Sequence, residues 1–316
     1  MKAPTGRSGP PTLTSEAALD LAGPLLAEAR ERTDARLGRW ADRLRARLPG
    51  TEGEALAYAL LSPGKRVRAA LVMASYRALG GSSPAIDGVA AAVEIVHAYS
   101  LVHDDLPCMD DDSLRRGRAT THVAFDVSTA TRAGFLLVPV AAEVLADSAG
   151  DLGLGNEQLG RMAVELFQAG GVEGMVGGQW LDLEAEGRRL QLHDLTAVHR
   201  GKTGALIRAS CVLGAIAARA DAAGLAALGD FGADIGLAFQ VADDVLDSTG
   251  TSEELGKTAG KDRAFEKSTY VSVLGVERAR REASDLASRA VARLRGAACE
   301  SSALAALAGY IVNRNS

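Results

Sequence analysis

His97-Ala98-Tyr99-Ser100-Leu101-Val102-His103-Asp104-Asp105-Leu106-Pro107-Cys108-Met109-Asp110-Asp111-Asp112 places five carboxylates within nine residues at the end of an apolar run. Charges so crowded repel one another unless a cation sits among them. Upstream, Val89 to Val102 carries Glu94 as its only charge and reads as a buried helix that the aspartates terminate. Pro107 removes the helical bond back to residue 103 and lets the chain turn Asp110 toward Asp104. A calcium loop is a poor fit, because counting from Asp104 the glycine position holds Met109 and the final glutamate position holds Arg115. A solvated acidic loop remains the competing reading of this stretch.

The pattern outward from it is helical almost throughout. Ala, Leu, Arg and Glu dominate from Ser15 onward, and runs of β-branched residues are scarce. A first helix follows Ser15, with Pro24 inside it and a polar break at Pro49-Gly50-Thr51. The spacing predicts further helices at about 64–80, 85–105, 122–148, 155–170, 192–219, 222–248, 270–295 and 301–313. No linker divides the chain, so one all-α domain over 15–316 is expected, preceded by a disordered tail at 1–14 that holds Pro4, Pro10 and Pro11. Ala169 to Gly178 contains five glycines and reads either as a flexible loop or as a helix that lets backbones approach closely.

With 316 residues, 47% hydrophobic and 24% charged, the chain has the composition of a globular protein, which excludes general disorder. A net charge of −5 and 4% aromatics argue against a dedicated nucleic-acid binder. Cys108, Cys211 and Cys299 show no metal-ligand spacing and read as free thiols, and a cytoplasmic location is the expectation. The least charged apolar stretch, Ala133 to Ala142, is shorter than the roughly 20 residues of a membrane span, and none is expected.

A second acidic cluster, Asp243-Asp244-Val245-Leu246-Asp247, lies inside the apolar helix through Ile235, Leu237, Phe239 and Val241. At about 100° per residue, Gln240, Asp244 and Asp247 all fall within about 100° of Asp243. Three carboxylates on one face of a largely buried helix need a counter-charge. All-oxygen sites of this kind suit Mg²⁺, which is usually held by one or two carboxylates together with substrate phosphates. Phosphate partners are available at Lys65, Arg66, Arg68, Arg115, Arg116, Arg118, Lys202, Thr203, Lys257, Lys261 and Lys267.

Seven motifs in order resemble the trans-isoprenyl diphosphate synthases, most of all the bacterial farnesyl diphosphate synthases. They are Gly64 to Arg68, His97 to His122, Gly174 to Gly187, His199 to Ala209, Gly236 to Asp247, Leu255 to Asp262 and Glu266 to Tyr270. The similarity runs from about Ala55 to Arg314. It implies an all-α isoprenoid synthase bundle around a central cavity, forming a homodimer, with prenyl diphosphates as its small-molecule partners. Three Mg²⁺ ions, replaceable by Mn²⁺, are implied at Asp104 and Asp110, supported by Asp105, and at Asp243, with Asp244 and Asp247 around it. Isopentenyl diphosphate would use Lys65, Arg68, His97 and Arg116; the residues alone read His97 as a satisfied core histidine. The allylic diphosphate would meet Arg115, Lys202, Lys257 and Lys267, with Thr203 and Gln240 near the reacting carbons.

The reaction implied is ionisation, condensation and elimination that lengthens the allylic chain by five carbons, with farnesyl diphosphate as product and geranyl or geranylgeranyl diphosphate as alternatives. Ser100 lies one helical turn below Asp104 and Tyr99 roughly 7–8 Å down, where the tyrosine would form the floor that stops growth. The chain departs from the resembled pattern at Ala69, Phe135, Trp180, Glu266 and Val271; Phe135 is expected to alter the elongation cavity or the subunit contact, and Trp180 to narrow the cavity. A class I terpene synthase would replace the second acidic motif and dispense with Lys65, Arg68 and His97. A non-catalytic partner subunit would lack one acidic motif.

Overall fold

The computed structural model describes residues 15–249, 268–297 and 299–314, with side chains from residue 19 onward. The expected tail at 1–14, and Lys257, Lys261, Glu266 and Lys267, lie outside the described residues. Helices α1 (Ser15–Arg47), α2 (Thr51–Leu60), α3 (Val67–Ala78) and α4 (Ile86–Asp104) come first, then a hairpin of β1 (Leu114–Arg115) and β2 (Arg118–Ala119). They are followed by α5 (Thr121–Ala124), α6 (Val127–Asp151), α7 (Asn156–Gly170), α8 (Met175–Glu184) and α9 (Leu192–His199). A widened π turn at Arg200–Gly204 leads into α10 (Ala205–Ala217) and α11 (Ala222–Thr249). The chain closes with α12 (Tyr270–Leu274), α13 (Val276–Arg293) and α14 (Ser302–Asn313).

Helix α4 is buried without interruption from Val89 to Val96, as expected of a helix apolar on every face. It packs along α6 and touches α1, α3 and α10. Helix α11 lies between α10 and α13, and α13 turns Ala279, Ala283, Leu286, Ala287 and Ala290 toward it at helical spacing. Helix α14 packs across α1, α3, α11 and α13 and brings Arg314 to Phe239 and Asp243 in the C-terminal half of α11. By length and composition α6 and α11 could each cross a bilayer, but half or more of the most apolar window of each is buried within the bundle. The apolar stretch 133–142 is therefore part of a longer core helix.

Three predicted helices are divided. The 122–148 segment breaks at Phe125-Asp126, where extended Asp126 caps α6 by accepting the Thr129 N–H. The 270–295 segment breaks at Gly275, whose φ of 79° interrupts the helix and is a conformation glycine adopts without strain. The 192–219 segment breaks at the π turn, a departure from helical hydrogen bonding that often marks a functional position. Helix α2 is an addition to the helices that the spacing predicts; Glu52 and Glu54 in its first turn complement the helix dipole directly after Pro49-Gly50.

Candidate active site

Asp104 ends α4, and the chain folds back so that the Asp110 N–H donates to the Asp104 carbonyl at 2.9 Å. This is the reversal expected from Pro107, and it brings Asp110 close enough for its charge to act on Asp104. Burial, opposed by Lys202 and reinforced by Asp110 and Asp105, pushes the Asp104 carboxyl up to about 6. Asp105 points inward: it is 4% exposed and accepts from Arg115 Nε at 2.7 Å. Burial raises its pKa, and the bonded Arg115 partly offsets that.

The hairpin that presents the arginines is legible in the sequence only as a basic cluster. Arg116 (φ 53°) and Gly117 (φ 75°) occupy the two positive-φ positions of its tight turn. Tyr58 anchors it by donating to the Ala119 carbonyl at 2.7 Å and by lying under the Arg118 guanidinium, 4.0 Å from ring centre. Arg116 donates to the Pro63 carbonyl, which ties the hairpin to the Gly64–Arg68 segment.

That segment forms a second concentration of cations. Arg66, in left-handed backbone geometry, pairs with Asp34 at 2.8 Å and with Glu94 at 3.2 Å. The lone charge in the apolar part of α4 is thus a buried structural partner. Arg68 has its Nε shut from solvent with no protein acceptor. Burial, with Arg116 adding to it, lowers the Arg68 pKa against the opposing pull of Glu94 and Asp243. Desolvation, with Arg314 and Arg116 close by, likewise lowers that of Lys65. His97 is pushed well below the usual imidazole value, first by burial and then by Arg68, Arg116, Arg115 and Arg66, so it is neutral at pH 7. A narrow cavity of about 40 Å³, lined by His97, Arg66, Arg115, Arg116, Glu94 and Asp105, lies among these groups.

The π turn carries Lys202 and Thr203 between α8 and α11. Gly178 of α8 lies so close to Gly201 and Lys202 that any Cβ there would overlap the Lys202 backbone nitrogen, and Gly236 of α11 packs on Gly204 in the same manner. The glycine-rich stretch therefore has its second reading, a turn into a helix that allows close backbone approach. Lys202 Nζ donates to Asp182 at 2.6 Å. Burial works against the Lys202 charge, but Asp182, Asp104 and Asp110 outweigh it and raise its pKa. Thr203 donates to Gln240 Oε1 at 3.0 Å, and Gln240 Nε2 donates to Asp244 at 3.0 Å.

Asp243 meets Arg314 at 2.6 Å, and the Arg314 guanidinium stacks 3.8 Å over the Phe239 ring. The counter-charge required by the second cluster is thus supplied from the C-terminal end, a role that spacing alone could not reveal. Asp244 is 6% exposed and turned into the protein, whereas Asp247 stands one turn further along α11 and is half-buried. Among the described residues no three carboxylate, imidazole or thiol groups form a metal cage by themselves. That donor set fits an ion bound by one or two carboxylates and completed by phosphate oxygens and water.

Below the first cluster, Tyr99 packs edge-on to His103 with centroids 5.0 Å apart, and His103 edge-on to Phe135 at 5.3 Å. Ser100 donates to the His97 carbonyl. Trp180 does not narrow the site as expected. It lies about 200° around α8 from Gly178, is 65% exposed, and lines an outer cleft of about 650 Å³ with Val172, Val176 and Leu181.

Residues 52–307 match the family described as polyprenyl synthetase. The chain is 46% identical to the farnesyl diphosphate synthase of Escherichia coli (strain K12) over 83% of its own length and 89% of the relative's. It is 43% identical to the large subunit 1 of a heterodimeric chloroplastic geranylgeranyl pyrophosphate synthase of Arabidopsis thaliana, over 83% and 71% of the two chains. Among solved structures, a geranyltransferase of Helicobacter pylori complexed with magnesium and isoprenyl diphosphate superposes with a TM-score of 0.74 at 31% identity, covering 96% of each chain.

Proposed function

The chain belongs to the polyprenyl synthetase family, and on that premise we propose that it joins isopentenyl diphosphate head-to-tail to dimethylallyl and geranyl diphosphate, with farnesyl diphosphate as the product. It is an enzyme of the prenyl-transferring class. The observation that carries the reading is the second cation cluster: Lys65, Arg68 and Arg116 have lowered pKa values beside a neutral His97, and the buried Arg68 Nε lacks a protein acceptor. Such a cluster calls for an anionic ligand in addition to the one met by Arg115 and Lys202. Elongation requires two diphosphates, and cyclisation of a prenyl chain requires one.

Asp104, Asp110 and Asp243 would hold Mg²⁺, with Mn²⁺ as a substitute. When bound, these ions, three in this reading, would neutralise the departing diphosphate and fix its orientation. Arg115 and Lys202 take up negative charge as the allylic carbon–oxygen bond breaks. Lys202 is aimed by Asp182, so little reorganisation accompanies that step. The oxygen end of the Gln240 amide and the Thr203 hydroxyl face the developing carbocation as dipoles. The double bond of isopentenyl diphosphate then forms the new carbon–carbon bond, and the released diphosphate takes the proton lost in elimination. Lys257 and Lys267 would complete the allylic diphosphate site.

The homodimer in this reading would bury Phe135, Val164, Val172 and Trp180, which are among the most exposed large apolar side chains. Tyr99, fixed by His103 and Phe135, would set the fifteen-carbon limit. The test is Arg68→Ala with saturating Mg²⁺. Loss of a charge-assisted contact worth about 1.5–3 kcal/mol should raise KM for isopentenyl diphosphate by roughly 10- to 150-fold, leaving KM for geranyl diphosphate near wild type. An equal rise in both would remove Arg68 from a separate site. Tyr99→Ala should shift product toward twenty carbons, and an unchanged distribution would remove the tyrosine as floor.

A further inference from the structure

The geometry points to Asp244 as a positioning residue that fixes the polarity of the Gln240 amide, in place of the metal-binding role its motif implies. Both oxygens of this buried carboxylate are engaged by protein donors. Oδ2 accepts the Tyr270 backbone N–H at 2.7 Å and Oδ1 accepts from Gln240 at 3.0 Å. His199 Nε2 stands 3.6 Å from Oδ2 with no closer partner, its ring stacked on Tyr270. Tyr270 is held in turn: Thr196 spends its hydroxyl proton on the Leu192 carbonyl, so the Tyr270 hydroxyl donates to Thr196 at 2.6 Å.

With Oδ2 taken by the Tyr270 N–H, Oδ1 is the acceptor left for Gln240, and it is the amide nitrogen, the donor end, that faces it. The amide oxygen is thereby turned toward Thr203, which donates to it at 3.0 Å and keeps its own lone pairs available. The reversed amide would present N–H groups, the positive end of the dipole, to a neighbouring carbocation. Asp244 thus acts on the reaction through Gln240 and Thr203, without touching substrate. This rests on the prenyl-transfer reading for its consequence in turnover, but not for the orientation itself.

Asp244→Asn converts the anchor into a flip. The buried Tyr270 N–H still needs an acceptor, so the introduced amide must turn its oxygen that way and its NH₂ toward Gln240. Gln240 must then rotate its oxygen to face that NH₂ and its own NH₂ toward Thr203. Adding Gln240→Glu restores the original polarity: one carboxylate oxygen accepts from the introduced amide and the other from Thr203. Gln240→Glu alone sets two carboxylates against each other.

The experiment is this cycle of four proteins, with Asp243→Asn as a fifth for reference, read by kcat, by the Mg²⁺ concentration for half-maximal activity, and by the Tm of the metal-free proteins. Asp244→Asn should lower kcat roughly a hundredfold, the usual effect of losing one preorganised dipole, and leave the Mg²⁺ requirement unchanged. The double variant should exceed both single variants in kcat and in Tm. A rise in Mg²⁺ requirement for Asp244→Asn matching that of Asp243→Asn, or a double variant that merely sums the two losses, would overturn the assignment. Wild-type protein without elongation activity would remove the functional reading, and the coupling in Tm would still decide the orientation.

Discussion

Removing the charge of Asp104 should stabilise the metal-free protein while it disables the enzyme. The carboxyl is pushed up to about 6 from 3.8 by burial, with Lys202 opposing and Asp110 and Asp105 reinforcing. In the folded chain it binds its proton more tightly than in the unfolded one, so stability is full below pH 4 and is lost as pH rises from about 4 to 6. At about 1.4 kcal/mol per pH unit the loss by pH 7 is about 3 kcal/mol. Asp104→Asn keeps the shape and escapes that loss. With an unfolding entropy of about 2 cal/mol/K per residue, the Tm gain in a chain of 316 residues is about 5 °C at pH 7. Calorimetry in EDTA at pH 4, 5, 6 and 7 measures it, and the gain should shrink toward zero at pH 4. The same variant should lose at least about a hundredfold in Mg²⁺-dependent turnover. A Tm at pH 7 equal to or below wild type, or a gain independent of pH, would refute the reasoning.

Glu94→Ala should destabilise by about 3 kcal/mol or more, measured by denaturant unfolding, because Arg66 would lose its buried partner and the Ala69 N–H its acceptor. Gly178→Ala should cost about 1–3 kcal/mol by overpacking against the Lys202 backbone and should lower kcat by moving Lys202 away from Asp182; a fully active, fully stable variant would show that α8 does not position Lys202.

The central elements are readable in the sequence because apolar helices ending in carboxylates are an energetically conspicuous pattern. The reversal at Pro107 and the shared face of Gln240, Asp243 and Asp244 follow from local geometry. What stays hidden depends on contacts distant in sequence. Arg314 reaches Asp243 across 71 positions, and the Tyr270 N–H reaches Asp244 across 26. Asp182 gives no periodic sign that it holds Lys202, and the π turn looks like continuous helix because no proline interrupts it. Trp180 reads as a cavity residue because it follows the glycine-rich motif, yet it is exposed and lines the outer cleft. His97 is the reverse case: a buried neutral imidazole is ordinary core by composition, and only the surrounding arginines mark it as part of a site.

Two diphosphates meeting between two acidic clusters is the central claim, and product analysis of the wild-type protein tests it most directly. Incubation with labelled isopentenyl diphosphate, geranyl diphosphate and Mg²⁺ should give a fifteen-carbon prenyl diphosphate carrying the label, and EDTA should abolish it. Cyclic hydrocarbon from geranyl diphosphate alone, or no labelled product with any allylic diphosphate, would contradict the account.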